Sequence, residues 1–227
     1  MNPAAPWMDW SAAALSVRLA LSAVALLVPL GIALAWPLAY GRFRGKEVLE
    51  AALLMPLVLP PTVLGFYLLQ SFGPRSPLGQ AWGFVTGGGT LVFSFSGLLI
   101  ATLLINLPFF LQPLVASLGS VDRRLLEASS TLGHGRISTY LRVALPLSWR
   151  GLLAGAILAF AHGMGEFGVV LMVGGNLPGR TRTLSIALFD QVQAFDMEAA
   201  HHTAFALLSF AFLVLLSTAW LRAREPR

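Results

Sequence analysis

Long apolar stretches separated by short polar intervals set the pattern of this chain. Positions 19–40 run for 22 residues without a charge, and roughly 20 apolar residues suffice for a helix to cross a hydrocarbon core. Comparable stretches recur at 48–72, 90–116, 149–173 and 204–221. The pattern predicts an all-α integral membrane protein of about five spans, organised as one transmembrane domain over 1–227. The first stretch also carries marks of a cleaved signal peptide, with Arg18 before it and Ala33-Leu34-Ala35 inside it. Apolar sequence nevertheless continues beyond that point into Arg42, Arg44 and Lys46, a basic flank that halts transfer, so it is read as a span.

The polar intervals differ in kind. Residues 73–89 are rich in Gly and Pro with Arg75 as the one charge, and residues 174–203 carry charges of both signs. Both read as loops on one side of the membrane. Within the second, Leu184 to Ala194 reads as a short surface helix with Leu184, Leu188 and Val192 on one face. The interval 117–148 reads instead as a basic hairpin of two short amphipathic helices. Asp122 is placed to cap the first, along which Val121, Leu125, Ala128 and Leu132 form one apolar stripe. Gly133 and Gly135 close that helix, since glycine tolerates the left-handed conformation found at helix ends. The second helix is expected to put Ile137, Tyr140, Leu141 and Ala144 on one face, Arg136, Thr139 and Arg142 on the other, and to end at Pro146.

Composition agrees with a membrane setting. Of 227 residues 56% are hydrophobic and 11% charged, with a mean hydropathy of +0.76, whereas soluble domains average about 25% charged. A net charge of +5 invites a nucleic-acid reading, but its placement argues against one. Of fifteen Lys and Arg, three lie in 42–46, five in 123–150 and three in 222–227, all flanking apolar spans. Cytoplasmic loops carry such an excess, so the N-terminus is expected outside and the C-terminus in the cytoplasm, with Arg75, Arg180 and Arg182 in outer loops. No nucleic-acid partner is expected. With no cysteine, neither a disulfide framework nor a cysteine-based metal site can form.

Few residues offer chemistry of their own. Gly41 to Glu47 has one residue too few between its glycines for a phosphate-binding loop, and Glu47 stands where Ser or Thr would hold magnesium. The chain is therefore expected to bind no cofactor, to hydrolyse no ATP and to be no enzyme. Pro56, Pro60 and Pro61 forbid a regular helix through the second span, and freed carbonyls at membrane depth survive only against protein or a wet cavity. Pro60, Pro61 and Thr62 thus mark either a break lining a path or a packed kink. His162 and Glu166 share a helix face if their helix continues, and ionisable groups at that depth face a polar cavity or each other. A proton relay, a metal pair and a buried pair setting helix position all fit that spacing, the last most simply; Gly163, Gly165 and Gly168 predict local bending. His201-His202 reads as a solvated loop pair rather than as metal ligands.

The hairpin also carries a resemblance. Glu127-Ala128-Ser129, then Leu132-Gly133, then Val143-Ala144-Leu145-Pro146 resembles the EAA loop of bacterial ABC-importer permeases, with Ser129 for the usual second alanine and Val143 for the usual isoleucine. Met55 to Val63, Gly165-Glu166-Phe167-Gly168 and Gly174 to Gly179 are similar to stretches of the molybdate-transporter permeases, and less closely to those of sulfate permeases. The resemblance implies a type I importer permease fold in a bacterial inner membrane. It assigns Glu127, Ala128, Ser129, Leu132, Gly133, Val143, Leu145 and Pro146 to a cytoplasmic surface that couples to an ATPase. It further implies two copies of that ATPase subunit, which would use ATP and Mg, a second copy of this chain, and an oxyanion-binding protein outside. Molybdate or tungstate is the implied cargo, with sulfate or thiosulfate as the alternative. From another class, a stand-alone proton-coupled transporter would use His162 and Glu166 without an ATPase. Pro60, Pro61, Thr62, His162 and Glu166 are the candidate path or gate residues.

Overall fold

The computed structural model describes residues 8–223. Of the basic C-terminal cluster, Arg224 and Arg227 lie outside these residues, as does the side chain of Arg222. Helix α1 (Trp10–Tyr40) starts well ahead of the charge-free run, because Asp9 caps it by accepting from the Ala12 N–H at 3.0 Å. Arg18 is then carried inside the helix, its guanidinium 4.7 Å above the Phe95 ring, a cation–π contact that offsets its placement.

The second apolar stretch is two helices, α2 (Lys46–Val58) and α3 (Pro61–Phe72), bent by 111°. The break falls at Leu59-Pro60 and not at the first proline, since α2 runs through Pro56. Pro61 opens α3, where its missing N–H would have had no helical partner. The interval 73–89 is not a plain loop but holds α4 (Pro77–Thr86). Its start signal is Ser76-Pro77: the Ser76 hydroxyl accepts from the Gly79 N–H at 2.9 Å and proline takes the first turn.

Next come α5 (Phe95–Gly119), α6 (Arg123–Thr131), α7 (Arg136–Thr139), a π-helical turn over Tyr140–Ala144 and α8 (Leu145–Leu147). The expected span 149–173 is divided at Glu166-Phe167 into α9 (Trp149–Gly165) and α10 (Gly168–Gly174). Helices α11 (Leu184–Gln193) and α12 (Met197–Ala223) complete the order. His201 and His202 lie in α12 rather than in a loop, since Asp196 accepts from the Ala199 N–H and starts the helix early. Helices α1, α5 and α12 are long and apolar enough to cross a membrane, and up to five crossings result if each bent pair counts as one: α2 with α3, and 136–147 with α9.

Helices α1, α5 and α9 pack on one another and hold the main core, where Leu27, Phe110, Leu114 and Leu118 are fully buried. Small residues set the α5–α9 distance. A Cβ at Gly151 would come 2.6 Å from the Pro113 carbonyl oxygen, and one at Gly155 would run into the Phe110 carbonyl. This is the close backbone approach that a Gly-x-x-x-Gly face permits. Helix α10 packs on α3 and α5 around Phe72, Ile105, Val169 and Val173.

Helix α11 departs from the expected surface helix. Leu184, Ser185, Ile186 and Ala187 are buried, and only its far end, with Val192, is exposed. The Leu184 N–H donates to the Ser16 hydroxyl at 2.8 Å and the Ser185 hydroxyl donates to the Glu166 carbonyl at 2.6 Å. Those hydrogen bonds satisfy polar groups where burial without partners would be costly.

Candidate functional site

The hairpin is closed at both ends of its first helix by its own residues. Asp122 accepts from the Arg124 N–H at 2.9 Å and starts α6. At its other end the Gly133 N–H donates to the Ser130 carbonyl and the His134 N–H to the Ser129 carbonyl, with Gly133 at φ +85°. That reciprocal pair closes the helix in the manner that calls for glycine. The face turned inward is polar: Ser129 and Thr139 are buried and their hydroxyls lie 3.0 Å apart, tying α6 to α7. Serine in place of alanine at 129 thus has a purpose in this chain.

The second half of the hairpin differs from the expected single amphipathic helix. Tyr140 and Ala144 are buried as expected, but Thr139 is buried with them while Ile137 and Leu141 are exposed. The π-helical turn at Tyr140–Ala144 rotates the faces. It lies just ahead of Pro146, which lacks a donor and crowds the carbonyl four residues back, and a widened turn relieves both. Pro146 sits in the first turn of α8 and does not end the helix; the chain bends by 72° at Ser148. Among the described residues, Leu125, Leu132 (78% exposed), Ile137 (73%) and Leu141 are left exposed as apolar side chains. Glu127, Ala128 and Pro146 are exposed as well, and Val143 and Leu145 are half-buried.

One tyrosine fastens the hairpin to α1, and a second ties α1 to α5 beside it. The Tyr140 hydroxyl donates to the Ile32 carbonyl of α1 at 2.6 Å, and the Tyr40 hydroxyl donates to the Leu118 carbonyl of α5 at 2.7 Å. Trp36 lies between the two rings, with centroids 5.1 and 4.9 Å away. Serine 129 gives a direct test of the hairpin's rigidity. Ser129→Ala and Thr139→Val should each lower stability by about 1 kcal/mol, the usual net worth of a buried hydrogen bond. The double variant should lose less than the sum in a thermal double-mutant cycle, because the second change removes an already orphaned hydroxyl.

The second cluster lies at the far end of α9. Asn106 of α5 is fully buried; its amide nitrogen donates to the Thr102 carbonyl at 2.9 Å, which turns Oδ1 toward His162 Nδ1, also at 2.9 Å. His162 Nε2 is 3.8 Å from Glu166 Oε2, and the imidazole stacks on Phe109 with centroids 4.0 Å apart. The pair is thus close, but the helix does not continue through it: Glu166 is in an extended conformation. Its Oε1 accepts from the Val169 N–H at 3.0 Å and so caps α10. The proline break comes to the same place. A Cβ on Gly168 would be 2.7 Å from the Pro61 side chain, so Pro61 abuts the start of α10; Pro60, Pro61 and Thr62 are all exposed. Asn106 and Ser185 complete this cluster; the signal that could have found Asn106 is a polar residue inside an otherwise apolar span.

At the opposite end from the hairpin, the Gly-Asn-Leu-Pro-Gly segment is a tight loop. The Thr181 and Arg182 N–H groups both donate to the Leu177 carbonyl, at 2.9 and 3.1 Å. Asn176 accepts from Arg182 Nε and donates to Asp190, each at 2.6 Å, and Arg182 also pairs with Asp190 at 3.4 Å and Asp9 at 3.9 Å. Burial alone would raise the Asp9 carboxyl pKa, but hydrogen bonds from Ser11 and Ala12 and the Arg182 charge outweigh it and hold it below its ordinary value.

The chain is similar to known proteins. Residues 27–227 match the family described as the binding-protein-dependent transport system inner membrane component. The chain is 46% identical to the Azotobacter vinelandii molybdenum transport system permease protein ModB, over 92% of both chains. It is 36% identical to the Escherichia coli K12 protein of the same name, over 94% and 93% of the two chains. The Synechocystis sulfate transport system permease protein CysW is 34% identical over 91% of this chain and 74% of its own. Among solved structures, a bacterial ABC transporter that imports the acidic polysaccharide alginate has the same fold, with a TM-score of 0.74, 13% identity, and coverage of 95% of this chain and 79% of the other. A helical chain with a capped, outward-facing hairpin and a broken fourth span, matched over these lengths, belongs to the binding-protein-dependent transport system inner membrane component family.

Proposed function

We propose that this chain is the non-catalytic membrane permease of an ATP-driven importer of molybdate. The observation that carries the cargo is the 46% identity to the Azotobacter permease over nearly the whole of both chains. The Synechocystis sulfate permease is more distant and longer than this chain. Tungstate, near-isosteric with molybdate, is expected to share the route. In this reading the chain works as a pair in the bacterial inner membrane, with hairpin and C-terminus in the cytoplasm and the N-terminus outside. Two ATPase subunits supply ATP hydrolysis, with Mg, and a soluble oxyanion-binding protein delivers cargo from the other side.

The geometry supports a route for force through the molecule. The exposed Leu125, Leu132, Ile137 and Leu141 are the docking surface for the ATPase, with Glu127, Ala128, Ser129, Gly133, Val143, Leu145 and Pro146 shaping it. A displaced hairpin moves α1 through the Tyr140 hydroxyl, α5 in turn through the Tyr40–Leu118 bond between those two helices, and α9 through the bend at Ser148. Helix α9 ends at His162 and Glu166, whose contacts lead to α5 and α10, and α10 rests against Pro61. Packed helices with discrete breaks carry such a displacement better than a flexible loop would. The Pro60–Thr62 and Glu166 breaks are the gate. His162 and Glu166 are already engaged, one with Asn106 and the other with the α10 amide, which suits a hinge more than a proton carrier.

Reconstitution separates this reading from its rivals. Proteoliposomes holding the permease, its ATPase and its binding protein should take up radiolabelled molybdate only with ATP, and sulfate at a much lower rate. Uptake driven by a proton gradient without the ATPase would overturn the importer, and preferential sulfate uptake would overturn the cargo.

A further inference from the structure

Between the α1–α2 link and the first turns of α6 lies a cavity of about 400 Å³, of whose lining the transport reading uses only Tyr40 and Glu127. Tyr40, Arg42, Lys46, Arg123, Leu126 and Glu127 line it. Three cations thus face one carboxylate. Lys46 is shared with Glu50 at 3.7 Å, but among the described residues neither Arg42 nor Arg123 forms an ion pair. The two guanidinium groups come from elements far apart in sequence, and the fold sets them at one cavity. Guanidinium is the side chain best suited to bind phosphate oxygens in a bidentate manner.

Two further features point to the same ligand. Helix α2 starts here behind Gly45, which offers no side-chain acceptor: the Lys46 N–H donates to the Phe43 carbonyl, while the next amides of a first turn that also holds Glu47 receive no side-chain cap and are open to an anion. The cavity also lies where the apolar run of α1 ends and that of α2 begins, the level of lipid headgroups, where basic pockets between helices bind anionic lipids. Its volume exceeds what a bare ion needs, and Glu127 offers an acceptor to a hydroxyl.

We propose that this cavity binds the phosphate group of an anionic phospholipid, with Arg42 and Arg123 on the phosphate oxygens and Glu127 on a headgroup hydroxyl. The lipid then bridges the α1–α2 link to α6 and steadies the hairpin from the membrane surface. This goes beyond the transport reading and does not depend on which ion is carried.

The test is native mass spectrometry of the purified chain with phosphatidylglycerol or phosphatidylcholine of identical acyl chains. Wild type should retain phosphatidylglycerol in preference. Arg123→Gln should weaken that preference about fivefold and the Arg42→Gln/Arg123→Gln pair about 25-fold, from the usual contribution of one basic side chain at an anionic surface. Arg75→Gln, in the opposite polar interval, should change nothing. Equal retention by wild type and the double variant, or an equal loss in Arg75→Gln, would overturn the site. Thermal protection in phosphatidylcholine micelles distinguishes the source. Protection by added phosphatidylglycerol and not by inorganic phosphate supports the headgroup, whereas equal protection by inorganic phosphate would replace the lipid with a soluble anion.

Discussion

Gly133→Val should leave the protein in the membrane and remove most ATP-dependent uptake. Gly133 has φ +85°, and a Cβ there would meet nothing within 4 Å. The harm therefore comes from backbone conformation and not from a clash. An L-residue in the left-handed region costs about 1–2 kcal/mol, and a β-branched one is a genuine outlier there. About 1.4 kcal/mol already shifts an equilibrium tenfold. Relaxing φ breaks the paired hydrogen bonds that close α6 and unseats Ser129 from Thr139. The exposed leucines then no longer present one surface. Gly133→Asn, which tolerates the same conformation, should keep most of the activity. The measurement is molybdate uptake and the accompanying ATP hydrolysis in proteoliposomes, with membrane insertion checked separately. Undiminished uptake by Gly133→Val would take the hairpin out of the force path.

Gly155→Ala should cost the spans a large part of their stability. Its Cβ would run into the Phe110 carbonyl of α5, a backbone group that cannot step aside as a side-chain tip can. Helices α5 and α9 would have to separate along the seam that holds the main core. Overpacking of this kind costs typically about 1–3 kcal/mol and occasionally more, which for a chain of this length lowers Tm by roughly 2–12 °C. Gly165→Ala, at the end of the same helix, has open space around its Cβ and should leave Tm unchanged. Thermal unfolding in detergent checks both. An equal effect of the two variants would mean that helix propensity, not the α5–α9 approach, governs the outcome.

Local rules made much of this legible. Asp122 and Gly133 bound a helix because capping and the left-handed turn are decided by neighbours within a few residues, and the structure has both where the residues ask for them. The charge-free runs declared helical spans because apolar length is read directly. Burial was less legible. Thr139 looked like part of a polar face, yet it is buried against Ser129, since the π-helical turn ahead of Pro146 rotates the faces by an amount that regular periodicity does not contain. Helix α11 looked like a surface element, because its polar residues gave no sign of the Ser16 and Glu166 groups that receive them.

By itself the sequence determined the class of molecule, the hairpin with its glycine closure, and the positions of the prolines and glycines where spans break. Propensity, capping and hydrophobic length act over a few residues and need no partner. Only the tertiary structure decided that Asn106 joins His162 and Glu166, that Pro61 rests against the start of α10, and that Arg42 meets Arg123 at one cavity. Those juxtapositions depend on how helices cross and where each bends, and crossing is set by contacts between residues that the linear order keeps far apart.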